Sequence, residues 1–193
     1  MQASKSRQKN VSLSAVTLIL GGVRSGKSSY AEGLVRATSQ GRGVYLATAD
    51  AAQARDDPEM RARIEHHRKR RGEGWSTIEE PLALAETLLE KAGPETPVLV
   101  DCLTLWLANL MAAGRDVAAE INTLEETLPR LTGAVVFISN EVGLGIVPEN
   151  ATARAFRDHA GLLHQRLAAC ADRVVFMAAG LPSILKTPTL VKE

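Results

Sequence analysis

Five short runs of apolar residues punctuate the chain, and longer amphipathic stretches separate them. The runs are Val16–Leu20 (VTLIL), Val44–Ala47, Val98–Asp101 (VLVD), Ala134–Ser139 (AVVFIS) and Arg173–Ala178 (RVVFMA). They are apolar almost throughout and do not alternate, which is the pattern of strands buried on both faces. Gly21-Gly22 closes the first run and Pro97 precedes the third, as turn residues do at strand boundaries. The intervening spacing predicts helices over Gly26–Thr38, Pro58–Arg71, Leu82–Lys91, Leu103–Ala113, Val117–Leu131 and Thr152–Cys170. Strands alternating with helices imply an α/β fold with a mostly parallel sheet and helices on both faces. Crossovers in such a sheet are right-handed, and ligands sit at the carboxyl ends of its strands.

The chain shows no internal repeat and no low-complexity segment in its body, so residues 16–193 are read as a single domain. Residues 1–15 precede the first strand. Met1–Ser14 is polar, with Lys5, Arg7 and Lys9 but no acid, and reads as a disordered tail without the apolar stretch of a secretory signal.

Composition narrows the function classes. At 193 residues with 45% hydrophobic and 23% charged positions, the chain is long enough for a self-sufficient core. Lys and Arg number 23 against 22 Asp and Glu, a net charge of +1, which argues against a dedicated nucleic-acid or membrane-surface binder. Aromatic residues make up only 4%, so no platform for stacking bases is evident. No apolar run approaches the roughly 18 residues that a membrane-spanning helix needs. The two cysteines, Cys102 and Cys170, lie in apolar sequence and read as buried, reduced thiols of a cytoplasmic protein.

The strongest chemical signal follows the first strand directly. Gly21-Gly22-Val23-Arg24-Ser25-Gly26-Lys27-Ser28 matches the phosphate-binding loop pattern G-x-x-x-x-G-K-[ST], with a strand before it and a helix after it. The glycines let main-chain N–H groups converge on an anion, and the helix start adds its positive dipole end. Lys27 is placed to reach the β and γ phosphates, and the Ser28 hydroxyl to ligate Mg²⁺. Such a loop needs a second carboxylate for its metal at the end of a neighbouring strand. Asp101, ending VLVD, is the obvious candidate; the plainer reading is an N-cap for the helix that begins at Leu103, the two roles are compatible, and the metal role is favoured.

A second signal lies in the helix predicted to start at Asp57-Pro58-Glu59. Met60 and Ile64 share one face by i,i+4 spacing, and His67 continues it, so His67 reads as a packed residue. His66 is turned away by about 100° and shares a flank with Arg63 and Arg70. Cationic neighbours disfavour the imidazolium, which leaves a neutral nucleophilic nitrogen. Such a nitrogen attacking a nucleoside triphosphate yields a phosphoramidate. A plain solvated basic helix, or a basic cluster contacting polyphosphate or nucleic acid, fits the same spacing.

Several longer stretches carry a resemblance: GGVRSGKS (Gly21–Ser28), YLATA (Tyr45–Ala49), RIEHH (Arg63–His67), VLVDCLTLWLANL (Val98–Leu110), SNEVGLGIVPEN (Ser139–Asn150) and RAFRDHAGLLHQRLAACAD (Arg154–Asp172). Over Thr17–Lys186 the chain resembles the bifunctional adenosylcobinamide kinase / adenosylcobinamide-phosphate guanylyltransferase family of cobalamin biosynthesis. The resemblance implies a RecA-like P-loop NTPase domain, a homotrimer, and two reactions. ATP or GTP would phosphorylate the aminopropanol hydroxyl of adenosylcobinamide. GTP would then transfer GMP to that phosphate through a histidine adduct, giving adenosylcobinamide-GDP and pyrophosphate. By position the adduct falls on His66, and the nucleotide contacts on Gly22–Ser29 (so on Ser29 as well as the loop proper), on Ala49, Asp50 and Ala51, on Glu79 and on Asp101.

Three positions depart from the family pattern. Val23 stands in place of alanine, Ala49 in place of a serine, and His164 in place of asparagine. Two other readings of the phosphate loop compete with the resemblance: a small-molecule kinase whose histidine pair is structural, and a regulatory nucleotide-binding switch. Asn140–Gly145, with two glycines after the fourth strand, suggests a mobile loop over the site. Glu79-Glu80 before Pro81 reads as the acidic start of a helix. Arg154 and Arg157 read as a solvated helix face, His159 as surface or packing, and Trp75 and Trp106 as core residues.

Overall fold

The computed structural model of the protein describes residues 15–39, 41–49, 65 and 74–188. Seven strands form one sheet: β1 (Val16–Gly21), β2 (Gly43–Ala47), β3 (Trp75–Glu79), β4 (Val98–Asp101), β5 (Val135–Asn140), β6 (Arg173–Ala178) and β7 (Leu181–Lys186). Their order is β3-β2-β4-β5-β1-β6-β7. The first six are mutually parallel, and β7 runs antiparallel to β6. The five apolar runs of the sequence are therefore the five inner strands. The two edges, β3 and β7, were not among the predicted elements.

Among the described residues five α-helices are complete: α1 (Lys27–Thr38), α2 (Leu84–Lys91), α3 (Leu103–Ala112), α4 (Val117–Thr127) and α5 (Ala151–Cys170). The predicted helix to Leu131 stops at Thr127 and tightens into a 3₁₀ turn over Leu128–Arg130, because Pro129 enters its first turn and cannot supply an α-helical N–H. The Asp116 carboxylate accepts from the Ala119 amide and the Asn150 side chain from the Ala153 amide, which fixes where α4 and α5 begin. The helix predicted over 58–71 falls outside the described residues.

The period-2 alternation of the strands sends neighbouring residues to opposite faces. Leu18, Leu46, Val98, Val100, Phe137 and Val174 pack with residues of α2, α3, α4 and α5. Ile19, Tyr45, Leu99, Val136, Ile138 and Val175 pack with Ala31 and Val35 of α1. Trp106 is 1% exposed and Phe137 fully buried; burial of such a side chain contributes roughly 1.5–3 kcal/mol. The Trp106 indole is matched as well, donating to the Leu82 carbonyl at 2.9 Å.

One reading is corrected. Cys102 is buried, but Cys170 is exposed at the last turn of α5, with its thiol 3.6 Å from Glu125 Oε1. Leu167 and Ala171 on either side are buried, whereas Ala169 and Cys170 face solvent.

Candidate active site

The loop between β1 and α1 is where sequence and geometry agree most closely. Gly21 ends β1 with φ at 150°, and a Cβ there would stand 2.4 Å from the Met177 carbonyl oxygen. Gly26 has φ at 97° and abuts Gly180, where a Cβ would stand 3.2 Å from its Cα. Both positions accept only glycine without strain. The loop is tied inward by Ser25 N–H to Gly22 O at 3.3 Å and backward by Gly180 N–H to Ser25 O at 3.0 Å. The first turn of α1 contains no acid, so no carboxylate in that turn opposes an anion at its N–H groups.

Lys27 is only 7% exposed. Its ammonium donates to the carbonyls of Gly21 (2.8 Å) and Gly22 (2.6 Å). The cation is thus already folded over the loop that would receive a phosphate. Ser25 is also buried, and its Oγ has no hydrogen-bond partner among the described residues.

Asp101 ends β4, with β5 alone between it and β1. Its Oδ2 accepts from Ser28 Oγ at 3.1 Å and from Tyr45 Oη at 3.1 Å. The capping alternative is not used: the residue before α3 is Cys102, and no side chain caps that helix. A hydroxyl and a carboxylate that meet beside a phosphate loop are hard oxygen donors, and they fit Mg²⁺, which takes one or two carboxylates with waters and phosphate oxygens.

The remaining sequence-predicted residues divide. Gly22, Val23, Arg24 and Ser29 lie on the loop and first turn of α1, exposed to solvent. Ala49 lies just past β2, whose Ala47 is in register with Asp101. Glu79 ends β3 in register with Ala47, on the same edge of the sheet, but with three strands between it and β1. Its neighbour Glu80 is the helix-start acid, accepting from the amides of Leu82 and Ala83 at 2.8 Å each. Asp50, Ala51, His66 and His67 lie outside the described residues.

Three site residues were missed or undervalued by sequence reasoning. Tyr45 lies within the matching stretch YLATA; a tyrosine in a buried strand needs a partner for its hydroxyl, and that is the signal the sequence offers. Thr48 is fully buried just past β2 and bonds the chain after β4. His164 is buried on α5. Its Nε2 lies 2.7 Å from Ser139 Oγ, and its Nδ1 lies 3.8 Å from Glu141 Oε2. Burial pushes its pKa below the ordinary 6.5, and Glu141 only partly opposes this. Burial likewise pushes the Cys102 thiol up, with Asp101 adding to the effect, so Cys102 is an inert packing residue.

The loop after β5 runs beside the phosphate loop, joined to it by Glu141 N–H to Gly21 O at 3.0 Å. Leu144 is 82% and Ile146 97% exposed. Arg154, read as a solvated face, instead donates to the Pro148 carbonyl at 3.0 Å and so pins the far end of this loop. A cavity of about 570 Å³ lies elsewhere, lined by Ala15, Arg42, Glu95 and Pro97. These residues precede β1, β2 and β4, so the cavity opens at the amino ends of the strands, away from the phosphate chemistry.

A family model described as cobinamide kinase / cobinamide phosphate guanyltransferase matches residues 17–185. The chain is 49% identical over 172 residues to the bifunctional adenosylcobalamin biosynthesis protein CobP of Pseudomonas aeruginosa, covering 88% of this chain and 96% of that one. It is 41% identical over 179 residues to the bifunctional adenosylcobalamin biosynthesis protein CobU of Escherichia coli K12, covering 85% and 96%. Among solved structures, a Pyrococcus horikoshii OT3 protein superposes with a TM-score of 0.56 at 11% identity, covering 95% of this chain and 90% of that one, which is a likeness of fold.

Proposed function

The chain belongs to the cobinamide kinase / cobinamide phosphate guanyltransferase family, and from that premise we propose that it carries out both transfers on adenosylcobinamide. The observation that carries the reading is the cluster of Lys27, Ser28 and Asp101 at the carboxyl edge of the sheet, in a chain that matches the family from residue 17 to residue 185.

In the kinase reaction the main-chain N–H groups of Gly22–Ser28 and the start of α1 bind the triphosphate of ATP or GTP. Lys27 exchanges its bonds to the Gly21 and Gly22 carbonyls for phosphate oxygens and neutralises charge on the β and γ groups. Ser28 and Asp101 would hold Mg²⁺, which when bound neutralises charge across the same oxygens. The substrate hydroxyl oxygen bonds to the γ phosphorus, the bond to the β-bridging oxygen breaks, and the hydroxyl proton leaves to solvent. In the second reaction a neutral His66 nitrogen bonds to the α phosphorus of GTP and pyrophosphate leaves. An oxygen of adenosylcobinamide phosphate then attacks that phosphorus. The N–P bond breaks, giving adenosylcobinamide-GDP and the free histidine. Gly22–Ser29, Ala49, Asp50, Ala51 and Glu79 are the proposed nucleotide contacts. The reading includes a homotrimer and a cytoplasmic location. Among the described residues no helix is long and apolar enough to cross a membrane.

The test is covalent labelling with α-³²P-GTP and Mg²⁺ followed by denaturation. Label should remain on the protein in base, be lost in acid, and be absent from His66→Ala. Label that persists in that variant moves the nucleophile elsewhere, with His67 next to be substituted. Kinase turnover without any label leaves a kinase alone.

A further inference from the structure

The parallel ladder between β2 and β4 ends at the pair Ala47 and Asp101. Beyond it the two chains stay joined through one residue. The Thr48 amide donates to the Asp101 carbonyl at 3.2 Å. The Thr48 hydroxyl donates to the Cys102 carbonyl at 2.7 Å and accepts from the Cys102 amide at 2.8 Å. The Thr48 carbonyl accepts from Asn109 Nδ2 of α3 at 2.7 Å, and the same amide donates to the Pro81 carbonyl at 3.1 Å. Thr48 is fully buried, so none of these bonds can be replaced by water. They grip the 101–102 and 102–103 peptides, on either side of Cys102 Cα; the first of these leaves Asp101 Cα and, with the β2 and β5 ladders in which Asp101 itself is paired, sets the direction in which its carboxylate leaves the backbone.

We propose that Thr48 is the positioning residue of the metal carboxylate: by clasping the Asp101 carbonyl and both main-chain groups of Cys102, it aims Asp101 at Ser28. The inference rests on the reading that Asp101 and Ser28 hold Mg²⁺. Residues that orient a metal ligand typically change metal affinity 10- to 100-fold when lost. A side chain that merely filled space would change stability and leave the metal response intact.

Binding of a fluorescent GTP analogue, measured in EDTA and in Mg²⁺, separates the two. Thr48→Val keeps the shape and removes the hydroxyl. Its affinity in EDTA should match the wild type, because the loop and Lys27 are untouched. The tightening produced by Mg²⁺ should fall about tenfold, while Thr48→Ser keeps it. Mn²⁺ binding to the protein–nucleotide complex, followed by electron paramagnetic resonance, should weaken in parallel. Should Thr48→Val fail to fold, Thr48→Cys, whose sulfur is a weaker partner, should show an intermediate loss. Full Mg²⁺ tightening in a folded Val or Cys variant overturns the inference, as does an equal loss with and without metal. Asp101→Asn is the control. If it keeps the tightening, the assignment of the metal carboxylate fails and the role of Thr48 with it. If it loses the tightening while Thr48→Val does not, the role of Thr48 alone fails.

Discussion

Two loops leave the sheet side by side, and they are built on opposite principles. Gly21 of β1 and Asn140 of β5 are in register, and each opens a glycine-bearing connection to a helix. In the phosphate loop the main chain itself is specified. Gly21 and Gly26 hold left-handed φ values against neighbouring backbone, and Lys27 is bonded to the loop's own carbonyls. In the loop after β5 the bonds gather towards the two ends, the Gly143 amide also donating to Glu141 Oε1. Glu141 bonds Gly21, Arg154 bonds the Pro148 carbonyl and Asn150 caps α5, while Leu144 and Ile146 between them face solvent. Neither Gly143 nor Gly145 has a positive φ. The contrast separates a preorganised anion cradle, which must not move, from a segment whose middle is free to adapt to what binds beside it.

The largest test of this contrast is Lys27→Ala. If the ammonium neutralises the transferring phosphate, kinase turnover should fall by about 100-fold or more, ~3 kcal/mol of transition-state stabilisation, with thermal stability little changed. Steady-state kinase assays check it, and retained turnover removes the loop from that step. Next comes Gly21→Ala. A methyl group 2.4 Å from the Met177 carbonyl oxygen, at φ 150°, requires β1 or β6 to shift. Unfolding stability should drop by about 2 kcal/mol, measured by urea denaturation, with nucleotide binding lost alongside. A stable Gly21→Ala protein that still binds nucleotide would show that the cradle is not specified by its backbone.

The same division explains what could be read from the sequence. The cradle is a local object: its glycines, lysine and serine stand in one run, and the physics of each position acts on its neighbours. The inner strands were legible because burial on both faces leaves uninterrupted apolar runs. The edge strands were not. β3 reads WSTIE with only Trp75 and Ile78 half-buried, and β7 reads LPSILK with every residue exposed. Each has one strand neighbour instead of two, so neither carries the buried signature. Asp101 was found by its position at a strand end, but its preference for Ser28 over the helix cap was decided by tertiary geometry. Thr48 and Tyr45 act on Asp101 from 53 and 56 positions away, a distance that no local pattern reports.

His164 lies between the two large effects and the smallest. It anchors the root of the second loop through Ser139, and burial holds its folded-state pKa below the 6.5 of an unfolded chain. Below that value the unfolded chain binds the proton that the folded protein excludes, so stability is full above pH 6.5 and declines as the pH falls through and below it. The melting temperature should therefore drop as the pH falls below about 6.5, and His164→Asn should flatten the decline. Wild-type and variant curves that run parallel would mean the ring takes up its proton without cost.

Gly145→Ala is the smallest expected change and the sharpest check on the second loop. An added Cβ there meets nothing within 4 Å, and the backbone lies outside the left-handed region that favours glycine. Alanine narrows the unfolded ensemble without opposing the folded conformation, so stability should stay equal or rise by about 0.5 kcal/mol. The KM for nucleotide should be unchanged, because the phosphate loop is held by its own glycines and by β6. If flexibility at Gly145 serves the corrinoid instead, the KM for that substrate alone will rise, with stability unaffected. Differential scanning calorimetry and paired KM measurements distinguish these outcomes. A loss of stability comparable to that of Gly21→Ala would show that the middle of this loop is as tightly specified as the cradle beside it, and would erase the difference between the two.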